Sequence, residues 1–175
     1  MKLHLLALSM AFIPYSTLLA QRYHDALLQD VRGSVKEVVY DSPEMLTVTY
    51  DQEGKEIHAG HMEKRSRQYD ADGYLLSFEF DRGGLSWKAT CNYDSSHRLR
   101  QQISSNNGGS FVSLNEYDRN GNVVKTVVSV SAHDVSRTYI YVYTYLKFDE
   151  RGNWLSRIRK GRKTAEFESR TVRYW

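Results

Sequence analysis

Residues 117–124 read Tyr-Asp-Arg-Asn-Gly-Asn-Val-Val, and residues 148–155 read Phe-Asp-Glu-Arg-Gly-Asn-Trp-Leu. Each run has an aromatic residue, then Asp, then Gly three residues after the Asp, then an apolar residue two beyond the Gly. The same word stands at Tyr50-Asp51-Gln52-Glu53-Gly54, Tyr69-Asp70-Ala71-Asp72-Gly73 and Phe80-Asp81-Arg82-Gly83-Gly84. An Asp side chain accepts hydrogen bonds from backbone N–H groups two residues onward. A Gly in the left-handed conformation then closes a type I turn with a G1 bulge. The word is therefore a hairpin corner, with Asp51, Gly54, Asp70, Gly73, Asp81, Gly84, Asp118, Gly121, Asp149 and Gly152 as turn residues. Tyr93-Asp94-Ser95-Ser96-His97 keeps the aromatic and the Asp. It puts His97 at the left-handed position, which His tolerates better than most residues.

A three-residue loop sets the aromatic across from the second residue after Gly, on one face of the sheet. Tyr69 then meets Leu75, Tyr93 meets Leu99, Tyr117 meets Val123 and Phe148 meets Trp154. Tyr50 meets Glu56 instead of an apolar residue, which predicts that the first repeat sits at an exposed end. Turns at the opposite edge fall near Ala59–Glu63, Asp81–Gly84, Asn106–Gly109, Ala132–Asp134 and Lys160–Arg162, where breaker residues gather. The pattern predicts an all-β fold, an antiparallel meander of about 10–12 strands. So many strands in one open sheet require curling, so the sheet is expected to be strongly curved or spiralling.

Aromatic-Asp-x-x-Gly followed by a hydrophobe resembles the YD repeat of the RHS (rearrangement hotspot) repeat proteins, over residues 46–158. The spacing between same-edge words, 19, 24, 24 and 31 residues, is irregular. The resemblance implies antiparallel strands that wind into shells and spirals. Large members of that family enclose toxin cargo, for which this chain is too small.

Lys2 precedes an apolar run from Leu3 to Ile13, and Ala20 stands before a polar segment. That is the layout of a cleavable signal peptide, too short and too interrupted by Pro14 for a membrane span. Residues 1–20 are thus expected to be removed, leaving residues 21–175 as one β domain that is periplasmic or extracellular, with no transmembrane segment. One cysteine cannot form an internal disulfide, so the exported chain relies on its core and strand pairing. Thirteen Tyr, three Trp and six Phe against two Pro suit sheet surfaces. A net charge of +3 is weak evidence for an anionic partner and does not point to nucleic acid.

No motif signals an enzyme or a cofactor. Neither a Gly-x-Ser-x-Gly elbow nor a His-Glu-x-x-His helix occurs. His58 and His61, at odd spacing on a strand, point to opposite faces and read as solvated turn residues, not a metal site. Cys91 alternates with Trp87, Ala89 and Tyr93 and reads as a buried small hydrophobe. The run 157–164, Arg-Ile-Arg-Lys-Gly-Arg-Lys-Thr, reads as a solvated basic turn able to contact an acidic glycan or headgroup.

The most suggestive surface is 138–148, Thr-Tyr-Ile-Tyr-Val-Tyr-Thr-Tyr-Leu-Lys-Phe. Tyr139, Tyr141, Tyr143 and Tyr145 share one face of a strand. Strict alternation from the Asp149 turn puts Leu146, Phe148 and Trp154 on the repeat-aromatic face. It puts the Tyr row on the opposite face, with Lys147, Leu155, Arg157 and Arg159. The row either packs beneath residues 22–31 or binds a glycan or peptide, with Lys147, Arg157 and Arg159 favouring an acidic one. The expected function is a non-catalytic exported binding scaffold of the bacterial cell envelope. A self-associating structural module is the alternative, and a small hydrolase ranks last.

Overall fold

The structure, a computed structural model, describes residues 21–42, 46–60 and 62–175. The leader read at 1–20 and His61 lie outside the described residues. Twelve strands form one antiparallel sheet. They are β1 Val35–Asp41, β2 Thr47–Tyr50, β3 Glu56–Ala59, β4 Arg65–Tyr69, β5 Leu75–Arg82 and β6 Leu85–Tyr93. The rest are β7 Leu99–Asn106, β8 Gly109–Tyr117, β9 Val123–Ala132, β10 Val135–Phe148, β11 Trp154–Lys160 and β12 Ala165–Tyr174.

Strands β4 to β12 follow chain order as a meander, and β12 then pairs with β1, which carries β2 and β3 beyond it. The hairpin expected at Ala59–Glu63 does not form. Strands β3 and β4, neighbours in sequence, are instead the two edges of the sheet. Side chains explain why no ladder joins them. The Glu56 N–H donates to the Asp25 carboxylate at 2.9 Å, and the Glu56 carbonyl accepts from Arg67 Nη1 at 2.5 Å. Lys64 and Arg67 also pair with the Glu56 carboxylate. Both backbone groups of Glu56 are thus already taken, which blunts the edge. Glu56 is 2% exposed, so the first repeat lies at a buried seam and not at an exposed end.

At five of the aromatic-Asp words the Asp N–H donates to the residue after the left-handed position, as Asp118 does to the Asn122 carbonyl at 2.9 Å. Gly54, Gly73, His97, Gly121 and Gly152 all have positive φ, with His97 at 56°. The Asp carboxylates accept the N–H groups ahead of them, as Asp94 does from Ser96 and Arg98. Partial burial opposes ionisation of Asp94 and Asp118, but these N–H donors outweigh it and hold both below the usual carboxylate range. The sixth word differs. Gly83 and Gly84, at φ 60° and 74°, make a two-residue turn between Arg82 and Leu85, so Asp81 stays in β5 and pairs with Arg65 at 2.7 Å. Two adjacent left-handed glycines match the strand twist better than the longer loop.

The aromatic partners are Glu56 for Tyr50, Leu75 for Tyr69, Leu99 for Tyr93, Val123 for Tyr117 and Trp154 for Phe148. Immediately beyond each pair the register slips, leaving Ile57, Leu76, Arg100, Val124 and Leu155 unpaired. Such bulges bend a strand and increase its twist. Repeated at five corners, they curl the sheet.

The described chain begins inside the curl. Residues 21–34, with a short 3₁₀ turn at Asp25–Gln29, cross the end where the aromatic-Asp corners gather. The N–H groups of Arg22 and Tyr23 donate to the Glu53 carbonyl, and that of His24 donates to the Gly73 carbonyl. Arg32 donates to the Asn120 and Gly121 carbonyls, and its backbone exchanges hydrogen bonds with the Asn153 side chain. Ala26 and Val31 join Val35, Val38, Val48 and Tyr50 in one core cluster. Leu75, Phe78, Phe80, Ala89, Cys91 and Leu99 form the second, against which Leu28 packs.

His97 stacks on Tyr74 with ring centroids 4.8 Å apart, and His24 stacks on the same tyrosine at 4.4 Å. His97→Gly therefore relieves left-handed strain of about 1–2 kcal/mol and forfeits a ring contact of about 0.5–1.5 kcal/mol. The expected urea midpoint is close to wild type; a large drop would show that the stack dominates. Burial lowers the His24 pKa more than Asp70 raises it, and His97 adds to the lowering. Its neutral form favours folding, so that stability is present above the unfolded value of about 6.5 and is lost as pH falls through the lower folded value. Urea midpoints at mildly alkaline and mildly acidic pH are expected to fall less on acidification in His24→Phe than in the wild type. Equal falls would rule His24 out as the cause.

Candidate functional site

Strand β10, 14 residues long, organises the inner face. The Tyr row lies on the same face as the repeat aromatics, not opposite them. An extra bulge at Leu146, between the Tyr145–Arg157 and Lys147–Ser156 pairs, reverses the alternation expected from the Asp149 turn. Leu146 is consequently 55% exposed, and Lys147 and Leu155 leave the row. Arg157 and Arg159 stay opposite Tyr145 and Tyr143.

The lower half of the row is closed. The Tyr145 hydroxyl donates to the Val123 carbonyl at 2.6 Å, and burial pushes its pKa up. Arg157 lies over Tyr143 at 4.1 Å and over Trp154 at 3.9 Å, and Arg170 covers the same indole at 3.6 Å. The Trp154 indole N–H donates to Asp30 at 3.1 Å, which fixes the N-terminal segment to this stack. Burial raises the Asp30 pKa, although Arg170 and Arg157 oppose it. Arg157 is also held by Glu168 at 2.7 Å. Arg159 pairs with Glu166 and, at 3.0 Å, with Glu168. Both arginines are therefore committed to internal carboxylates. A cavity of about 250 Å³ above this floor is lined by Gln29, Tyr40, Gln102, Asn115, Tyr143 and Arg157. Tyr40 of β1 and Gln102 of β7 meet there from distant strands, a measure of how far the sheet curls.

The upper half is open. Tyr139 is 41% exposed, and a cleft of about 1170 Å³ separates the start of β10 from the β11–β12 turn. Arg137, Tyr139 and Tyr141 stand on one wall; Lys160, Arg162 and Lys163 stand on the other. Those four basic side chains are exposed, and none makes an ion pair among the described residues. Gly161 closes the turn against Tyr141: a Cβ there would stand 3.5 Å from its ring. Sequence reasoning read the basic turn as solvated, able to contact an acidic glycan or headgroup, and missed Arg137. The signal lay in the length of β10, whose upper part outruns β11.

Cys91 is buried in the second core cluster, and burial pushes its thiol up to about 12, so it is no thiolate nucleophile at neutral pH. His58 lies on β3, opposite Thr49. Among the described residues no group of three or more His, Cys, Asp or Glu is placed to hold a metal ion. No described helix is long and apolar enough to cross a membrane. Compared with protein-family models and with curated proteins, the sequence matches none.

What the fold and cleft define is a class: an unclosed, twelve-stranded antiparallel sheet, occupied at one end by its own N-terminal segment and open at the other. The chemistry at the open end is aromatic and cationic, suited to stacking and to anion recognition.

Proposed function

We propose that this chain is a non-catalytic binding scaffold, exported to the bacterial cell envelope by its leader, that holds a glycan or a peptide in the open cleft. The division of the tyrosine row carries the reading. Tyr143 and Tyr145 are engaged by Arg157, Trp154 and Val123, whereas Tyr139 is exposed in the cleft and Tyr141, with Arg159 over its ring at 5.1 Å, lines it beside unpaired cations. The likeness to YD repeats is consistent with an exported scaffold and adds no ligand. Intact-mass measurement of exported protein is expected to find Gln21 at the N-terminus; a chain retaining Met1–Ala20 would overturn export by cleavage.

Retention on glycan and peptide arrays tests the binding reading. Tyr139→Ser is expected to abolish retention and leave the urea midpoint nearly unchanged. Tyr145→Ser is expected to cost about 2 kcal/mol, short of a fully buried ring truncation because the ring is half-buried. Full retention by Tyr139→Ser would place the ligand elsewhere.

Self-assembly is the second reading, favoured by the outer surface. There Ile140, Leu146 and Phe167 are 51%, 55% and 65% exposed. A mass that rises with concentration and reverts in Phe167→Glu would favour it.

A further inference from the structure

We infer that the cleft binds an acidic peptide as an added β-strand along the open edge of β10. The inference rests on the binding reading above and names its ligand class. Strand β10 pairs with β9 from Val135 to Val142 but with β11 only from Val142 onward. Strand β11 ends at Lys160, and the turn that follows, closed by the Gly161 N–H on the Thr164 carbonyl at 2.8 Å, carries the chain away into β12. Beside Val135–Tyr141 the place of a neighbouring strand is therefore occupied by the cleft, a run of about 20 Å at the usual rise per residue.

The backbone of that run is not spent. His133 and Asp134 form a two-residue turn that closes on the Ala132–Val135 pair. Counting the antiparallel alternation from there, Val135, Arg137, Tyr139 and Tyr141 bond to β9. Ser136, Thr138 and Ile140 turn their N–H and C=O groups toward the cleft. Among the described residues no loop or side chain takes them. The contrast with the β3 edge is direct, because there Asp25 and Arg67 occupy the equivalent groups of Glu56.

Side chains select the occupant. An added strand would lay alternate residues against Tyr139 and Tyr141 on the inner side and against Ile140 and Val142 on the outer side. Arg137, Lys160, Arg162 and Lys163 surround it, while the one lining carboxylate, Glu166, is already paired with Arg159. An acidic extended peptide satisfies this field. A second copy of the same edge would bring two such basic clusters together, which charge disfavours.

The test uses the chain beginning at Gln21 and a short fluorescent peptide alternating Glu and Thr. Its comparators are the same peptide N-methylated along one edge, a Lys-for-Glu version and an oligogalacturonate. Anisotropy is expected to show binding of the acidic peptide, with affinity reduced by about tenfold or more on N-methylation, on Lys-for-Glu exchange and in Thr138→Pro. Pro at that position removes an N–H that faces the cleft and leaves the β9 ladder intact. If Thr138→Pro fails to fold, the N-methylated peptide on the wild-type protein decides. Undiminished binding of the N-methylated peptide overturns strand addition. Retention of oligogalacturonate alone overturns it too, while leaving the glycan form of the binding reading standing. No binding of any probe sinks both. A dimer that Thr138→Pro dissolves assigns the edge to a second copy and overturns the peptide.

Discussion

Arg170→Ala is expected to lower stability by about 3–5 kcal/mol, because it leaves buried groups without their charged partner. Arg170 is 4% exposed and its guanidinium donates to three carbonyls: Trp154 at 2.8 Å, Gln29 at 2.6 Å and Asp30 at 2.8 Å. Two of those carbonyls belong to the N-terminal segment and one to β11, so this side chain fastens the segment to the sheet. It also stacks on Trp154 and sits near the Asp30 carboxylate, whose ionised form it favours. Truncation to Ala removes the fork, the stack and the charge together. Arg170→Met restores apolar packing on the indole and no hydrogen bond, so it is expected to recover only a minority of the loss. Arg170→Lys keeps a charge but cannot reach three carbonyls at once from a single ammonium. Urea midpoints rank the three, and limited proteolysis within residues 21–34 reads release of the segment directly. An Arg170→Ala midpoint within about 1 kcal/mol of wild type, the size of an ordinary substitution, would mean that the sheet holds its shape without the segment.

The corners were legible in the sequence because everything that makes them is local. Asp118 and Gly121 need only each other and the three intervening peptide bonds to specify a turn, and the turn in turn fixes Tyr117 against Val123. Asp81 was misread for an equally local reason: Gly83 beside Gly84 permits a shorter turn, and the Asp of that word is left within a strand. The bulges left no such mark. Ile57, Leu76, Val124 and Leu155 are aliphatic residues of the kind found throughout the strands and Arg100 is not, so nothing in the chain announced that each strand slips one residue past its corner. The cost of missing them was largest at Leu146, where one extra residue moved the whole Tyr row from the opposite face onto that of the repeat aromatics. The pairing of β1 with β12 and the seam between β3 and β4 join residues far apart in sequence or separate neighbours. Glu56 was the one visible clue. A carboxylate at a position that elsewhere is apolar marked the seam, although burial beside Asp25, Lys64 and Arg67 was not foreseeable from the residue alone.

The corner glycines serve two purposes, and Gly73→Ala against Gly152→Ala separates them. Both residues are left-handed, at φ 85° and 77°, so Ala at either position carries conformational strain of about 1–2 kcal/mol. Around Gly152 a Cβ meets nothing within 4 Å, and that strain is the whole expected effect. At Gly73 a Cβ would stand 1.7 Å from the Arg22 carbonyl oxygen and 2.8 Å from its carbon, both backbone atoms that no rotamer change can remove. The start of the N-terminal segment must then lift away. That forfeits the His24 N–H to Gly73 carbonyl bond, the bonds of Arg22 and Tyr23 to Glu53, and the Tyr23–Tyr69 ring contact at 4.7 Å. Gly73→Ala is expected to cost about 2 kcal/mol more than Gly152→Ala, the net worth of a few such hydrogen bonds. Amide exchange at Tyr23 and His24 should accelerate in the first variant and not in the second. Repeating both substitutions in a chain that begins after His24 closes a thermodynamic cycle, in which the two costs converge if contact with the segment is the source of the difference. Were the gap to persist without residues 21–24, Gly73 would owe it to its own turn. The N-terminal segment would then rest on the corners without depending on their glycines.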